Sequence, residues 1–125
     1  MKKKSQLTKA ETLVMNCLWK LPEMAGSSAD IMALMPEPKP APTTLLTFLK
    51  ILTEKGFVRT ERQGKSNRFT ALMSYDEYAG DVVKDVKDSF FGGSFASLVS
   101  FFAKREQLSE SEIDEIITLI KNSGK

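Results

Sequence analysis

Residues 43–73 read TTLLTFLKILTEKGFVRTERQGKSNRFTALM. Taking Leu45 as the reference and advancing about 100° per residue, Leu45, Phe48, Leu49 and Leu52 fall in one apolar sector, while Thr43, Thr47, Lys50 and Glu54 cluster opposite. That spacing predicts an amphipathic helix beginning near Pro42, a residue tolerated in a first turn, and closing at Gly56 in a left-handed cap. The runs 57–62 and 67–72 are rich in strand formers and flank the polar, basic tip Gln63-Gly64-Lys65-Ser66, which predicts a hairpin. A helix followed by a basic hairpin is the arrangement with which a winged helix-turn-helix addresses DNA. Arg62, Lys65 and Arg68 sit at or near the tip, within reach of phosphates beside a groove that the helix enters. The simpler reading of such a hairpin is a soluble sheet edge, because lysine there also blocks strand-to-strand aggregation.

Working outward, Thr8-Lys9-Ala10-Glu11 has the form of a capping box and opens an apolar series at Ala10, Leu13, Val14, Cys17, Leu18 and Leu21. Trp19 lies off that stripe and is expected to fill the junction with a neighbouring element. After Pro22 and Gly26, Ser27 or Ser28 can cap a short second helix through Ile31, Met32, Leu34 and Met35. The run Pro36-Glu37-Pro38-Lys39-Pro40-Ala41-Pro42 cannot be helical, since alternate residues lack an amide donor, and it forms the turn into the third helix.

Beyond residue 73 three further helices are predicted. Tyr75, Tyr78, Ala79, Val82, Val83, Val86 and Phe90 form a stripe that stops at Gly92-Gly93. Phe95, Leu98, Val99 and Phe102 repeat the same spacing, and Ser109-Glu110-Ser111-Glu112 opens a last helix carrying Ile113, Ile116, Ile117 and Ile120. Three short helices with so much apolar surface more often pair with a second copy than fold back on their own chain, so a homodimer is expected. The resulting fold class is mainly α with a small β-hairpin. Residues 1–73 form the winged helix-turn-helix DNA-binding domain, and residues 74–125 form a helical dimerisation region.

Charge and composition agree with this division. The net charge is only +2, yet residues 1–73 hold 12 Lys/Arg against 6 Asp/Glu and residues 74–125 hold 6 against 10. The basic part suits a polyanion, whose condensed counterions it displaces. No apolar run approaches the roughly 20 residues of a membrane span, and Met1-Lys2-Lys3-Lys4 leads into polar Ser5 and Gln6. A cytoplasmic chain without direct membrane association is therefore expected. With no histidine and a single cysteine, the commonest general base and the usual zinc-ligand sets are missing, so no enzymatic role, metal site or cofactor is expected. Cys17, on the first helix's apolar stripe, reads as a small buried hydrophobe.

Four segments resemble the penicillinase-repressor (BlaI/MecI) family of winged-helix regulators. They are Leu7-Thr8-Lys9-Ala10-Glu11 leading to Trp19, Pro42-Thr43-Thr44, Leu52-Thr53-Glu54-Lys55-Gly56-Phe57-Val58, and Gly92-Gly93-Ser94-Phe95-Ala96-Ser97-Leu98-Val99. The resemblance implies a homodimeric repressor of genes for β-lactam resistance or related responses, bound to a palindromic operator in double-stranded DNA. It also implies release by a membrane-bound metalloprotease sensor that triggers cutting within the C-terminal helices, between Phe101 and Phe102. The alternative for those two phenylalanines is plain packing of the dimer core. DNA contact then falls to Thr43, Thr44, Leu46, Thr47 and Lys50 on the helix and to Arg62, Lys65 and Arg68 on the wing. Relatives often carry basic residues at the positions of Leu46 and Ile51. Thr43, Leu46 and Thr47 instead suit the thymine methyl group, and Lys50 suits a guanine or a phosphate. A different class of function, a protein-interaction module, would use Leu46 and Ile51 as an apolar partner surface.

Overall fold

The computed structural model describes residues 6–123; the lysine run at 2–4 lies outside them. The chain divides into two compact units, Met1–Gly80 and Asp81–Lys125.

The first unit contains α1 (Lys9–Lys20), a 3-10 turn (Pro22–Met24), β1 (Ala25–Gly26), α2 (Ser28–Leu34), α3 (Pro42–Lys55), β2 (Val58–Gln63), β3 (Ser66–Ala71) and the start of α4 (Tyr75–Phe90). Its helices begin where side chains satisfy the free amides of a first turn. Thr8 and Glu11 form a reciprocal capping box on α1, Ser27 and Asp30 form one on α2, and Ser74 and Glu77 form one on α4. The sheet is antiparallel in the order β1-β3-β2, with Thr60 opposite Phe69 and Ala25 opposite Thr70. The sequence predicts only the β2–β3 hairpin. The two residues of β1 are too few to show any period, and Gly26 reads as a breaker.

Gly26 nevertheless lets that strand lie close to Leu21 and Asp30. A Cβ there would stand 2.8 Å from Leu21 Cδ1 and 3.0 Å from Asp30 Oδ2, which is closer than side chains pack.

The core gathers Val14, Met15 and Leu18 of α1, Ile31 of α2, Leu45, Leu49 and Leu52 of α3, and Phe57 and Val58 leading into the hairpin, all fully buried. On α1 the buried arc is Glu11, Val14, Met15, Cys17 and Leu18, whereas Leu13 is exposed. The arc is thus rotated from the predicted stripe, because a carboxylate, Glu11, lies within it. Lys55 Nζ stands 2.8 Å from Glu11 Oε1 and makes that burial tolerable. Cys17 is buried as predicted, its Sγ donating to Met35 Sδ at 3.5 Å, and burial pushes its thiol pKa up against the opposing pull of Lys20 and Lys39.

Trp19 fills the junction foreseen for it. Its Nε1 donates to the Met73 carbonyl at 2.9 Å, and its ring meets Tyr75 edge-on, centroids 5.5 Å apart. Tyr78 packs edge-on against Phe57 at 5.7 Å and accepts from the Leu7 amide at 2.8 Å. The first turn of α4 is therefore bound into the core of the first unit.

The second unit holds the rest of α4, α5 (Phe95–Arg105) and α6 (Glu110–Ser123). Gly92 and Gly93, at φ 58° and 80°, make the turn between α4 and α5, a conformation that glycine adopts without strain. Ser94 caps α5 and the Ser109–Glu112 pair caps α6. Among the described residues of this unit only Leu98 is buried.

Candidate nucleic-acid interface

Helix α3 is fixed at both ends and along one side. Pro42 occupies its first turn, and no side chain caps the Ala41 end. Gly56, at φ 89°, closes the other end, with its amide on the Thr53 carbonyl and the Phe57 amide on that of Leu52. Leu45, Leu49 and Leu52 face the core, and the Lys55–Glu11 ion pair ties the last turn to α1. Burial alone would push the Glu11 carboxyl pKa up. The hydrogen bond from Lys55, the Thr8 amide and the Lys55 charge together outweigh it and hold the group below its ordinary 4.5.

The opposite side of α3 is open. Thr43, Thr44, Leu46, Thr47 and Lys50 are all exposed, and from Thr43 to Lys50 they span about 10 Å, close to three base steps along one strand. Thr47 Oγ1 donates to the Thr43 carbonyl at 3.0 Å. The turn from α2 is held by Lys39, whose Nζ lies 2.8 Å, 3.3 Å and 3.0 Å from the carbonyls of Met32, Ala33 and Met35. This lysine of the basic half thus closes α2, where a cation also complements the helix dipole.

The wing turns at Gly64 and Lys65, and Gly64 supplies the positive φ of a two-residue hairpin. The register decides which side each basic residue takes. Arg62 lies opposite Asn67 and alternates with Thr60 and Val58, so it shares the sheet face of Phe69 and Ala71. Thr53 of α3 gives its hydroxyl proton to the Leu49 carbonyl at 2.8 Å, so Thr60 donates to it across 2.8 Å. Arg62, whose Nε donates to the Gly64 carbonyl at 3.0 Å, therefore stands on the α3 side of the wing. Lys65 is exposed at the tip. Arg68 is on the other face, where its Nη2 lies 3.2 Å from Glu23 Oε1. Nothing in the sequence around Glu23 signals this pairing, because the two residues meet only through the β1–β3 strand pair.

The arrangement is a helix with an open, largely polar face, flanked by a wing that has Arg62 on the side of α3 and Lys65 exposed at its tip. The penicillinase repressor family model matches residues 7–122, nearly the full length and both units. The chain belongs to the penicillinase repressor family. That is a family of transcriptional repressors rather than enzymes. The chain is similar to the methicillin resistance regulatory protein MecI of Staphylococcus aureus (strain N315), at 26% identity over 115 residues covering 92% of this chain and 93% of that protein. It is also similar to the penicillinase repressor of Bacillus licheniformis, at 27% identity over 121 residues covering 97% and 94%, and to that of Staphylococcus aureus, at 22% over 123 residues covering 98% and 97%.

In this penicillinase-repressor chain the residues expected to pair two copies lie on α5 and α6. Phe95, Val99, Phe102, Ile113, Ile116, Ile117 and Ile120 are exposed, and Leu98 is buried. Phe101 and Phe102 fall inside α5, and Phe101 packs on Phe91 with ring centroids 5.3 Å apart. Among the described residues no group of three or more His, Cys, Asp or Glu side chains is placed to hold a metal ion. No described helix is long and apolar enough to cross a membrane.

Proposed function

We propose that the protein is a dimeric transcriptional repressor that holds a palindromic operator in double-stranded DNA with α3 and the wing of each protomer. The observation that carries this reading is the open face of α3, with Arg62 on the adjoining side of the wing and Lys65 exposed at its tip. Its threonines and Lys50 suit the base edges and phosphates of a major groove, and the wing's cations suit the phosphates beside it. Leu46 and Ile51 lie about 140° apart around α3, so they do not form the single apolar patch that a protein-interaction module would need.

Dimerisation is supported by the exposed apolar residues of α5 and α6, Phe95, Val99, Phe102, Ile113, Ile116, Ile117 and Ile120 among them. Unburied, they leave the second unit with almost no core. A second copy related by a two-fold axis offers the same stripe in return, and protein symmetry of that kind is mirrored in palindromic half-sites. The release step rests on the resemblance of the segment 92–99. Cutting between Phe101 and Phe102, by a protease under a membrane-bound metalloprotease sensor, would separate Phe95, Leu98 and Val99 from Phe102 and all of α6. Each DNA-binding unit would then hold its half-site alone and lose the affinity gained by linkage. The names of the relatives point to a gene of antibiotic resistance as the target.

The test is a binding titration of the full-length chain against DNA upstream of its own gene, at several salt concentrations. Lys50, Arg62 and Lys65 from two protomers give six phosphate contacts and a log–log salt slope of about −5. The Ile116→Glu/Ile120→Glu variant is expected to sediment as a monomer and to bind without cooperativity. Absent or salt-insensitive binding by the intact chain would sink the proposal.

A further inference from the structure

We infer that Leu46 is a specificity-determining residue that reads the C5-methyl group of a thymine in each half-site. The inference rests on the DNA-binding reading above and goes on to name the base. Leu46 is 46% exposed on a helix whose other leucines of the same stretch, Leu45, Leu49 and Leu52, are essentially fully buried. Nothing in the core requires a leucine there. It stands two helical turns before Thr53, the residue that contacts the wing through Thr60, and so lies on the wing side of α3 beside Lys50.

The chemistry of its neighbours narrows the partner. Leu46 has neither donor nor acceptor. Thr47, next to it, has its only hydroxyl proton on the Thr43 carbonyl and offers a base edge an acceptor and a methyl group. Lys50 brings donors to this face, but Leu46 and Thr47 bring none. Guanine presents two acceptors in the major groove, adenine an acceptor and a donor, and cytosine a donor, so each of these offers Leu46 only polar atoms, whereas thymine carries a C5-methyl beside its O4 acceptor. Thymine alone offers an apolar group. Burying one methyl against Leu46 is worth about fourfold in affinity, equivalent to ~0.8 kcal/mol.

The experiment selects a duplex from a random-sequence pool with the full-length protein. Each thymine is then replaced by deoxyuridine, which pairs identically and lacks only the methyl. One symmetry-related pair of positions is expected to lose about fourfold per substitution and about fifteenfold when both are replaced. In the Leu46→Ala variant the same replacements are expected to change affinity by less than about 1.5-fold, while an unchanged thermal melting curve shows the fold intact. Equal binding of thymine and uracil duplexes by the wild type overturns the inference and leaves DNA binding standing. A methyl effect that persists in Leu46→Ala also overturns it. Failure to select any duplex overturns the DNA-binding reading itself.

Discussion

Replacing Lys55 with methionine should cost the first unit about 2 kcal/mol and lower its melting temperature by about 10 °C at pH 7. Lys55 Nζ is 2.8 Å from Glu11 Oε1, and the two side chains retain 26% and 6% of their exposure. Removing one partner of a fully buried ion pair costs about 3–5 kcal/mol, because the other is left charged and dry. Here water can follow the quarter-exposed lysine, and Glu11 keeps the Thr8 amide at 3.0 Å, so the loss falls to that of one charge-assisted hydrogen bond, about 2 kcal/mol. For a unit of this size each kcal/mol moves the melting temperature by about 4–8 °C.

The pH dependence has a definite sign. Glu11 titrates below its ordinary 4.5 in the folded chain, so its contribution is complete above that value and disappears as pH falls through the folded pKa. The gap between wild type and Lys55→Met should therefore be widest near neutrality and close in acid. The assay is thermal unfolding followed by circular dichroism from pH 7 down to about pH 3. Adding Glu11→Gln to Lys55→Met should recover part of the loss, since the stranded charge is then absent. A shift under about 3 °C at pH 7, or a gap that widens in acid, would refute the reasoning.

Lys65→Ala should reduce the magnitude of the salt slope of operator binding by about 0.9 per protomer, or about 1.8 for a two-fold dimer, whereas Arg68→Ala should change it less because its guanidinium is held by Glu23. Parallel salt titrations of the two variants check this. Gly26→Ala should destabilise by about 1–3 kcal/mol, read from denaturant midpoints, because its Cβ would stand 2.8 Å from Leu21 Cδ1 and 3.0 Å from Asp30 Oδ2, and Asp30 is fixed in its capping box. Trp19→Phe should cost about 1 kcal/mol by the same measurement, through loss of the bond from Nε1 to the Met73 carbonyl.

Much of this fold was legible because its signals are local. The capping residues Thr8, Ser27 and Ser109, the left-handed Gly56 and the hairpin tip Gly64-Lys65 each act within a few residues of the chain, and periodicity alone separated the buried side of α3 from its open side. Signals that depend on a distant partner were silent. Glu11 reads only as the acidic member of a capping box until Lys55, 44 residues on, is placed beside it. The stripe of α4 shows that Tyr75 and Tyr78 share a face, but not that Trp19 and Phe57 engage them.

The sequence by itself determined the order of the six helices and the β2–β3 hairpin, the outward set Thr43, Thr44, Leu46, Thr47 and Lys50, and the apolar stripes of α5 and α6, because side-chain period and capping chemistry are written in neighbouring residues. Only the tertiary structure decided which basic groups are engaged within the chain and on which side of the wing they stand. Lys39 closes α2, Arg68 pairs with Glu23 on one face of the wing, and Arg62 stands on the other beside α3. Those assignments depend on strand register and on side chains meeting across long stretches of chain, and such pairings carry no local signature.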